Sequence, residues 1–254
     1  MLTAITRAVS PSLGDCELTW LPREPIDVEK AAAQHHAYEA ALAELGACVI
    51  SLPALPDHPD AVFVEDPALV LDEIAVITAM GVESRRGERD SLAEALAPFR
   101  PVIRMRDPAC LEGGDVMRIG RNLFAGLSAR TNAAGIAQLG EILQPFGYHV
   151  HAVELRDCLH LKSACCFIGD GTVLLNRAWL DASLLADYRL IDVSPEEPGA
   201  ANALRLGDTV LMPDAFPKTA ALLRESGFLV RALDLSELLK AESGVTCSSL
   251  VFMA

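Results

Sequence analysis

Cys247 stands in Ser243-Gly244-Val245-Thr246-Cys247-Ser248-Ser249, a glycine and small hydroxyl residues that leave room for a substrate beside the sulfur. As a nucleophile that sulfur must be a thiolate, which needs positive charge nearby. As a buried structural thiol it needs none. His160, in Cys158-Leu159-His160-Leu161-Lys162-Ser163, can donate and accept a proton within one turnover near neutral pH. A hydrogen-bonded core histidine is the alternative. Glu112 leads Glu112-Gly113-Gly114-Asp115-Val116, where two glycines permit close approach of backbone or ligand, or simply make a turn. Phe63-Val64-Glu65-Asp66-Pro67 sets two acids beside an apolar pair, which suits a cation site or a solvated turn. Arg85, in Glu83-Ser84-Arg85-Arg86-Gly87-Glu88, and Arg130, in Ser128-Ala129-Arg130-Thr131-Asn132, each offer a fork that grips a carboxylate. Either could equally be a surface charge at a helix start. His149-x-His151 has half-site metal spacing, but residues 148–153 read as a strand with one polar face, so no metal site is expected.

These residues need a scaffold that brings distant positions together, and the chain carries a repeat that does so. Three segments run helix, glycine, strand, at Leu45-Gly46-Ala47, Phe146-Gly147-Tyr148 and Ser226-Gly227-Phe228. In the second, Ile136, Leu139, Leu143 and Phe146 form one apolar stripe, Thr131 is the expected N-cap, and Gly147 ends the helix in a left-handed conformation. Weaker copies are expected as a helix over 91–98 before Pro101-Val102-Ile103, and a helix over 180–187 before Arg189-Leu190-Ile191. Four of the helices follow a strand, tight turn and second strand, with turns at Asp72-Glu73, Gly120-Arg121-Asn122, Gly169-Asp170-Gly171 and Gly207-Asp208. The unit is therefore ββαβ. A fifth copy needs its hairpin from the two chain ends, residues 2–9 and 248–253, which would close a ring. The predicted fold is α/β, a closed ring of five ββαβ units in one domain spanning residues 1–254. The loops at 10–27 and 194–203 are expected to be the mobile parts. Just upstream of successive hairpins lie Glu65-Asp66, Glu112, His160 and Asn202, with Cys247 before the last strand. In a ring, such matching positions converge on the axis.

Composition agrees with a packed globule, since 51% of the 254 residues are hydrophobic. A net charge of −14 disfavours nucleic acid, whose phosphates need basic patches, and suits a cationic substrate or mere solubility. No run is long and apolar enough to span a membrane, and Arg7 interrupts the only candidate leader, so neither is expected. Seven cysteines, odd in number and without a C-x-x-C, argue against a disulfide framework or zinc cluster and for a reducing cytoplasm. Cys48, Cys165 and Cys166 lie in apolar runs and are expected in the core.

Taken together, FVEDP, ESRRGE, LEGGDV, LSARTN, LHLKS, AAN and the terminal GVTCSSL resemble the dimethylarginine dimethylaminohydrolases, especially the compact bacterial ones, in the right order from about residue 2 to 251. The resemblance implies the five-fold pentein propeller of the guanidino-modifying superfamily. It implies hydrolysis of Nω,Nω-dimethyl-L-arginine, and of the monomethyl compound, to citrulline and an amine through a thiouronium on Cys247. His160 would be acid and base, and Glu112 would support both the guanidinium and His160. Asp66 would bind the guanidinium, with Asp60 and Glu65 in the same binding shell. Arg85 and Arg130 would hold the substrate carboxylate, and backbone carbonyls near Leu18 and Ala241 the α-amine. No cofactor or metal is implied. The partner is a small cationic guanidino amino acid, with a homodimer possible. An arginine or agmatine deiminase is the alternative within the superfamily, and a non-enzymatic ribosome-binding member a more distant one.

Overall fold

The computed structural model describes residues 1–254, and its strands form five three-stranded sheets. In every sheet the middle strand pairs antiparallel with one neighbour and parallel with the other. In the first unit β1 (Leu2–Arg7) runs parallel to β2 (Cys48–Leu52) after α1 (Val28–Glu44), and antiparallel to the last strand, β15 (Leu250–Met253). Leu2 faces Met253 and Ile5 faces Leu250, so the two chain ends do supply the fifth hairpin. The second unit is β3 (Ala68–Val70), β4 (Ala75–Ile77), α2 (Arg89–Leu96) and β5 (Val102–Arg104). The third is β6 (Val116–Ile119), β7 (Asn122–Leu127), α3 (Ala133–Leu143) and β8 (His149–Glu154). In the fourth, the single turn α4 (Leu161–Ala164) leads into β9 (Cys165–Phe167), β10 (Thr172–Leu175) and β11 (Arg189–Asp192). The fifth is β12 (Leu204–Leu206), β13 (Thr209–Pro213), α5 (Pro217–Glu225) and β14 (Leu229–Leu233), after which α6 (Ser236–Leu239) leads back to β15.

Local chemistry explains where the helices begin and end. Asp27 caps α1 by accepting from the Lys30 N–H, and the helix buries Ala31, Tyr38, Ala41 and Leu42 on one face. Gly147 ends the helical stretch that α3 begins, at a φ of 74°, a left-handed conformation that costs other residues a steric clash. Two local expectations fail for identifiable reasons. The N-cap of α3 is Asn132, which accepts from Gly135 N–H at 2.7 Å, because the Thr131 hydroxyl is turned inward. The fourth unit has no α-helix over 180–187, only a 3₁₀ turn at Ala182–Leu185. There Leu180 is held in a β-bridge to Leu155 of the third unit, and the Asp181 side chain takes the Ser183 N–H. Cys165 and Cys166 are buried as expected, but Cys48 is exposed, since β2 is an outer strand and alternates its side chains.

The first strands of the five units, β3, β6, β9, β12 and β15, face one another around the axis. Val70, Met117, Phe167, Leu204 and Val251 all line a single channel there, about 430 Å³ in volume. The channel ends at an ion pair, Lys162 Nζ to Glu65 Oε1 at 2.5 Å, contributed by the segments ahead of β9 and β3. Apolar clusters lie between each sheet and its helix or turn, so each unit carries its own share of the core. No helix is long and apolar enough to cross a membrane.

Candidate active site

Asp66, Glu112, His160, Asn202 and Cys247 each sit in the segment that leads into the first strand of a unit, as the repeat predicts. Hydrogen bonds tie these segments to one another across the ring. Glu65 N–H donates to Cys247 O at 3.1 Å, and Gly113 N–H to Asp66 O at 2.8 Å. Leu161 N–H donates to Asp115 Oδ1 at 2.9 Å, and Thr246 N–H to Asn202 Oδ1 at 2.9 Å. Four bonds therefore lock five loops whose own backbones make no sheet at these points. Space is tight enough to demand glycine at 114. A Cβ there would lie 2.7 Å from both Asp66 Oδ1 and His160 Nδ1.

His160 is buried and anchored at one nitrogen. Its Nε2 lies 2.9 Å from Glu112 Oε2, while Nδ1 lies 3.9 Å from Asp66 Oδ1. Glu112 is fully buried behind the ring and also accepts from Gly81 N–H at 3.2 Å. Burial opposes protonation of the imidazole, but Asp115, Asp66 and Glu112 outweigh it and raise its pKa to about 9. His160 is thus an imidazolium at neutral pH. Burial likewise opposes ionisation of Asp66, yet His160, Arg85 and Lys162 pull its pKa below the ordinary carboxylate range.

Cys247 has the opposite electrostatics. Burial, then the negative charges of Glu65 and Asp66, push its thiol well above the usual value. The Gly244 N–H, which donates to Sγ at 3.3 Å, and the Lys162 ammonium only partly offset this. At rest the sulfur is a neutral thiol beside carboxylates, a site where an incoming cation would favour the thiolate.

Asp60, Asp66, Arg85, Arg130, His160, Ala241 and Cys247 all line one narrow cavity of about 20 Å³, together with Glu17 and Glu242. Most of the predicted binding residues are therefore brought together. Arg85 is heavily committed. It donates to Glu88, to Asp66 Oδ2 at 2.7 Å and to the carbonyls of Asp60 and Phe63, which leaves one Nη1–H without an acceptor. Arg130 is freer, with Nη2 on Thr19 Oγ1 at 3.0 Å and Nη1 at 3.6 Å from Glu112. One predicted residue falls elsewhere. Glu65 does not face this cavity, because it points the opposite way from its neighbour Asp66 and pairs with Lys162 and the Thr246 hydroxyl. Leu18, expected to act through its backbone carbonyl, packs its side chain into the apolar core of the first unit. Its neighbour Glu17 lines the cavity and donates its N–H to the Asp60 carboxylate at 3.1 Å.

Other contributors lay outside the sequence expectation. Asp115 accepts from the Ser128 and Thr131 hydroxyls at 2.7 and 2.6 Å and fixes the His160 loop through Leu161. Its place within the Glu-Gly-Gly-Asp run was the only available signal. Glu242, in a left-handed conformation at φ 54°, accepts the N–H groups of Thr19, Trp20 and Leu21 and so hooks the 17–21 segment over the site. Ligand atoms of Asp66, Glu112 and His160 lie within 4.8 Å of one another and could reach one metal ion, though His160 and Arg85 already balance the two carboxylates.

Five ββαβ units around an axis, with a cysteine, an imidazole and a carboxylate converging at its end, define a pentein with the equipment of a catalyst. A family model described as N,N dimethylarginine dimethylhydrolase, eukaryotic, matches residues 20–199. The N(G),N(G)-dimethylarginine dimethylaminohydrolase of Streptomyces coelicolor is 39% identical over 97% of this chain and 95% of its own. That of Pseudomonas aeruginosa is 37% identical over 89% of this chain and 90% of its own. A crystal structure of a Cys→Ser variant of the Pseudomonas enzyme, complexed with citrulline, superposes with a TM-score of 0.94 at 35% identity, covering 99% of this chain and 100% of that one. The N-terminal domain of the cyanobacterial arginine dihydrolase ArgZ shares the fold, with a TM-score of 0.86 at 21% identity. The chain belongs to the dimethylarginine dimethylaminohydrolase family.

Proposed function

We propose that this chain is a single catalytic unit that hydrolyses Nω,Nω-dimethyl-L-arginine, and the monomethyl compound, to L-citrulline and the corresponding amine. One observation carries the reading. One cavity is lined by Cys247 and His160, by the carboxylates of Asp66 and Asp60 and by the two guanidinium groups of Arg85 and Arg130. A zwitterionic amino acid with a cationic side-chain tip is the complement of that charge pattern. Its carboxylate would displace Thr19 from Arg130 and use the free Nη1–H of Arg85, and its guanidinium would neutralise Asp66 next to the thiol. Since Thr19 belongs to the segment hooked by Glu242, binding must widen the cavity there, which in its closed form holds little more than one water.

The chemistry follows from the resting charges. The bound guanidinium lowers the pKa of Cys247, whose proton leaves for solvent. The thiolate attacks the central guanidinium carbon. His160, already protonated, gives its proton to the substituted nitrogen, the carbon–nitrogen bond breaks and the amine departs. The neutral imidazole then takes a proton from water, the hydroxide adds to the thiouronium carbon, and the carbon–sulfur bond breaks to return the thiolate and release citrulline. Glu112 holds the ring at Nε2, so Nδ1 is the nitrogen that faces the reaction. This route draws on no cofactor. Seven free cysteines fit work in a reducing compartment. The test is incubation with dimethylarginine, with citrulline and dimethylamine measured and the quenched protein digested. Added mass on the Cys247 peptide supports the reading, whereas turnover of arginine or agmatine in preference to dimethylarginine would move the chain to the deiminases.

A further inference from the structure

A second cavity reaches Cys247 and His160 from the side away from the arginines. It is a groove of about 380 Å³, some twenty times roomier than the cavity on the carboxylate side, and within the range of small-molecule sites. Both are lined by Leu159, His160, Glu242, Ser243 and Cys247, so this strip is where they meet. Their chemistry differs. Asp60, Asp66, Arg85 and Arg130 belong to the narrow cavity alone. The groove has walls of Trp20, Leu21, Trp179, Phe216 and Leu239, and its ionic floor, Glu65 with Lys162, is internally paired. Trp20 and Leu21 are 52% and 48% exposed, unusual for large apolar side chains grouped at the mouth of a site.

We propose that this groove is a subsite for the substituents on the substrate's terminal nitrogen, and that it admits aromatic or long alkyl groups well beyond two methyls. The inference rests on the reading of the chain as a dimethylarginine hydrolase. A substrate whose carboxylate lies at Arg130 and whose guanidinium carbon lies at Cys247 points its far nitrogen onward, past His160. The nitrogen that His160 protonates is therefore the one at the groove. An apolar substituent there leaves water for an apolar wall, which is favourable, while Asp157 on the same groove is exposed and keeps its hydration. A methyl group uses only a small part of the space, so size is not what limits the leaving amine.

The experiment compares kcat/KM for dimethylarginine, Nω-methyl-L-arginine and Nω-benzyl-L-arginine in the wild-type protein and in Ala215→Trp. Ala215 is an exposed residue on the groove wall, so the larger side chain fills the groove without burdening the core. Wild-type protein is expected to turn over the benzyl compound within tenfold of the methyl one. Ala215→Trp is expected to cut benzyl turnover at least tenfold and to keep methyl turnover within twofold. A second variant, Phe216→Leu, should change the benzyl-to-methyl ratio while circular dichroism stays native. Hydrolysis of dimethylarginine without hydrolysis of the benzyl compound overturns the subsite. So does an Ala215→Trp effect equal on all substrates, which would make the groove a passage for whole substrates. Failure on every substrate, dimethylarginine included, instead defeats the hydrolase reading beneath it.

Discussion

Replacing Glu112 by glutamine keeps the shape behind His160 and removes one negative charge. The carboxylate oxygen lies 2.9 Å from Nε2, at 0% exposure, so little solvent screens it. A buried hydrogen bond to a charged group contributes about 1.5–3 kcal/mol net. At about 1.4 kcal/mol per pKa unit, its loss lowers the imidazole pKa by roughly 1–2 units. Asp115 and Asp66 remain, so the group should move from about 9 to about 7–8 rather than collapse to a fully desolvated value. In the proposed mechanism, the acid form of His160 is what delivers the proton to the amine. The alkaline limb of kcat/KM, which reports the free enzyme, should shift down by the same amount. Between pH 6 and pH 8.5 the variant should lose roughly tenfold more activity than wild type. The direct assay is the ring-proton NMR titration of His160 in both proteins, read beside the pH–rate profile. A variant whose imidazole still titrates near 9, with an unmoved alkaline limb, would refute the electrostatic role given to Glu112. A uniform drop at every pH would mean that Glu112 acts on the substrate alone.

Cys247→Ala should abolish citrulline formation with an unchanged melting temperature, and measurable turnover would exclude the covalent route. Arg130→Ala should raise KM for dimethylarginine at least tenfold with a smaller change in kcat, because a carboxylate clamp acts in ground and transition states alike; a pure kcat defect contradicts it. Protonated His160 should also stabilise the fold. Its pKa is raised from 6.5 to about 9, so this contribution is fully present below about 6.5 and is lost as pH rises through 9. Urea unfolding at pH 6 and pH 9 should then show wild type losing roughly 2–3 kcal/mol more than His160→Ala over that interval, and equal losses would sink the assignment. Glu242→Ala should free the 17–21 segment, seen as faster amide exchange at Thr19, Trp20 and Leu21; unchanged exchange there would mean that Glu242 is no hook.

Much of this site could be read from the chain because a repeat converts spacing into position. Once the five ββαβ units are aligned, Asp66, Glu112, His160, Asn202 and Cys247 occupy equivalent places, and the ring must bring equivalent places together. What was not legible depends on single-residue phase. Glu65 and Asp66 are adjacent in the turn ahead of β3, which sends one to Lys162 and the other to the cavity, and the sequence treats them alike. Thr131 is a competent cap in composition, and only the position of Asp115 decides that its hydroxyl turns inward. The missing helix of the fourth unit has a tertiary cause, the bridge between Leu155 and Leu180, which local propensity does not encode.

In the proposed mechanism, the charge arrangement would also keep the sulfur protonated until substrate binds. A thiol raised by burial and then by Glu65 and Asp66 is a poor nucleophile toward oxidants and stray electrophiles, since the thiolate is the reactive form. The same carboxylates that suppress the thiolate are the ones that attract a guanidinium, and a guanidinium at Asp66 cancels the field that held the proton on. In the intact protein, attraction of the substrate and activation of Cys247 are therefore one electrostatic event, with Asp66 serving both. Asp66→Asn should ease ionisation of the free thiol, so that iodoacetamide labels Cys247 faster than in wild type, while dimethylarginine turnover falls at least a hundredfold. Slower labelling together with lost turnover would mean that Asp66 supports the thiolate rather than opposing it, and the substrate-triggered order of events would have to be abandoned.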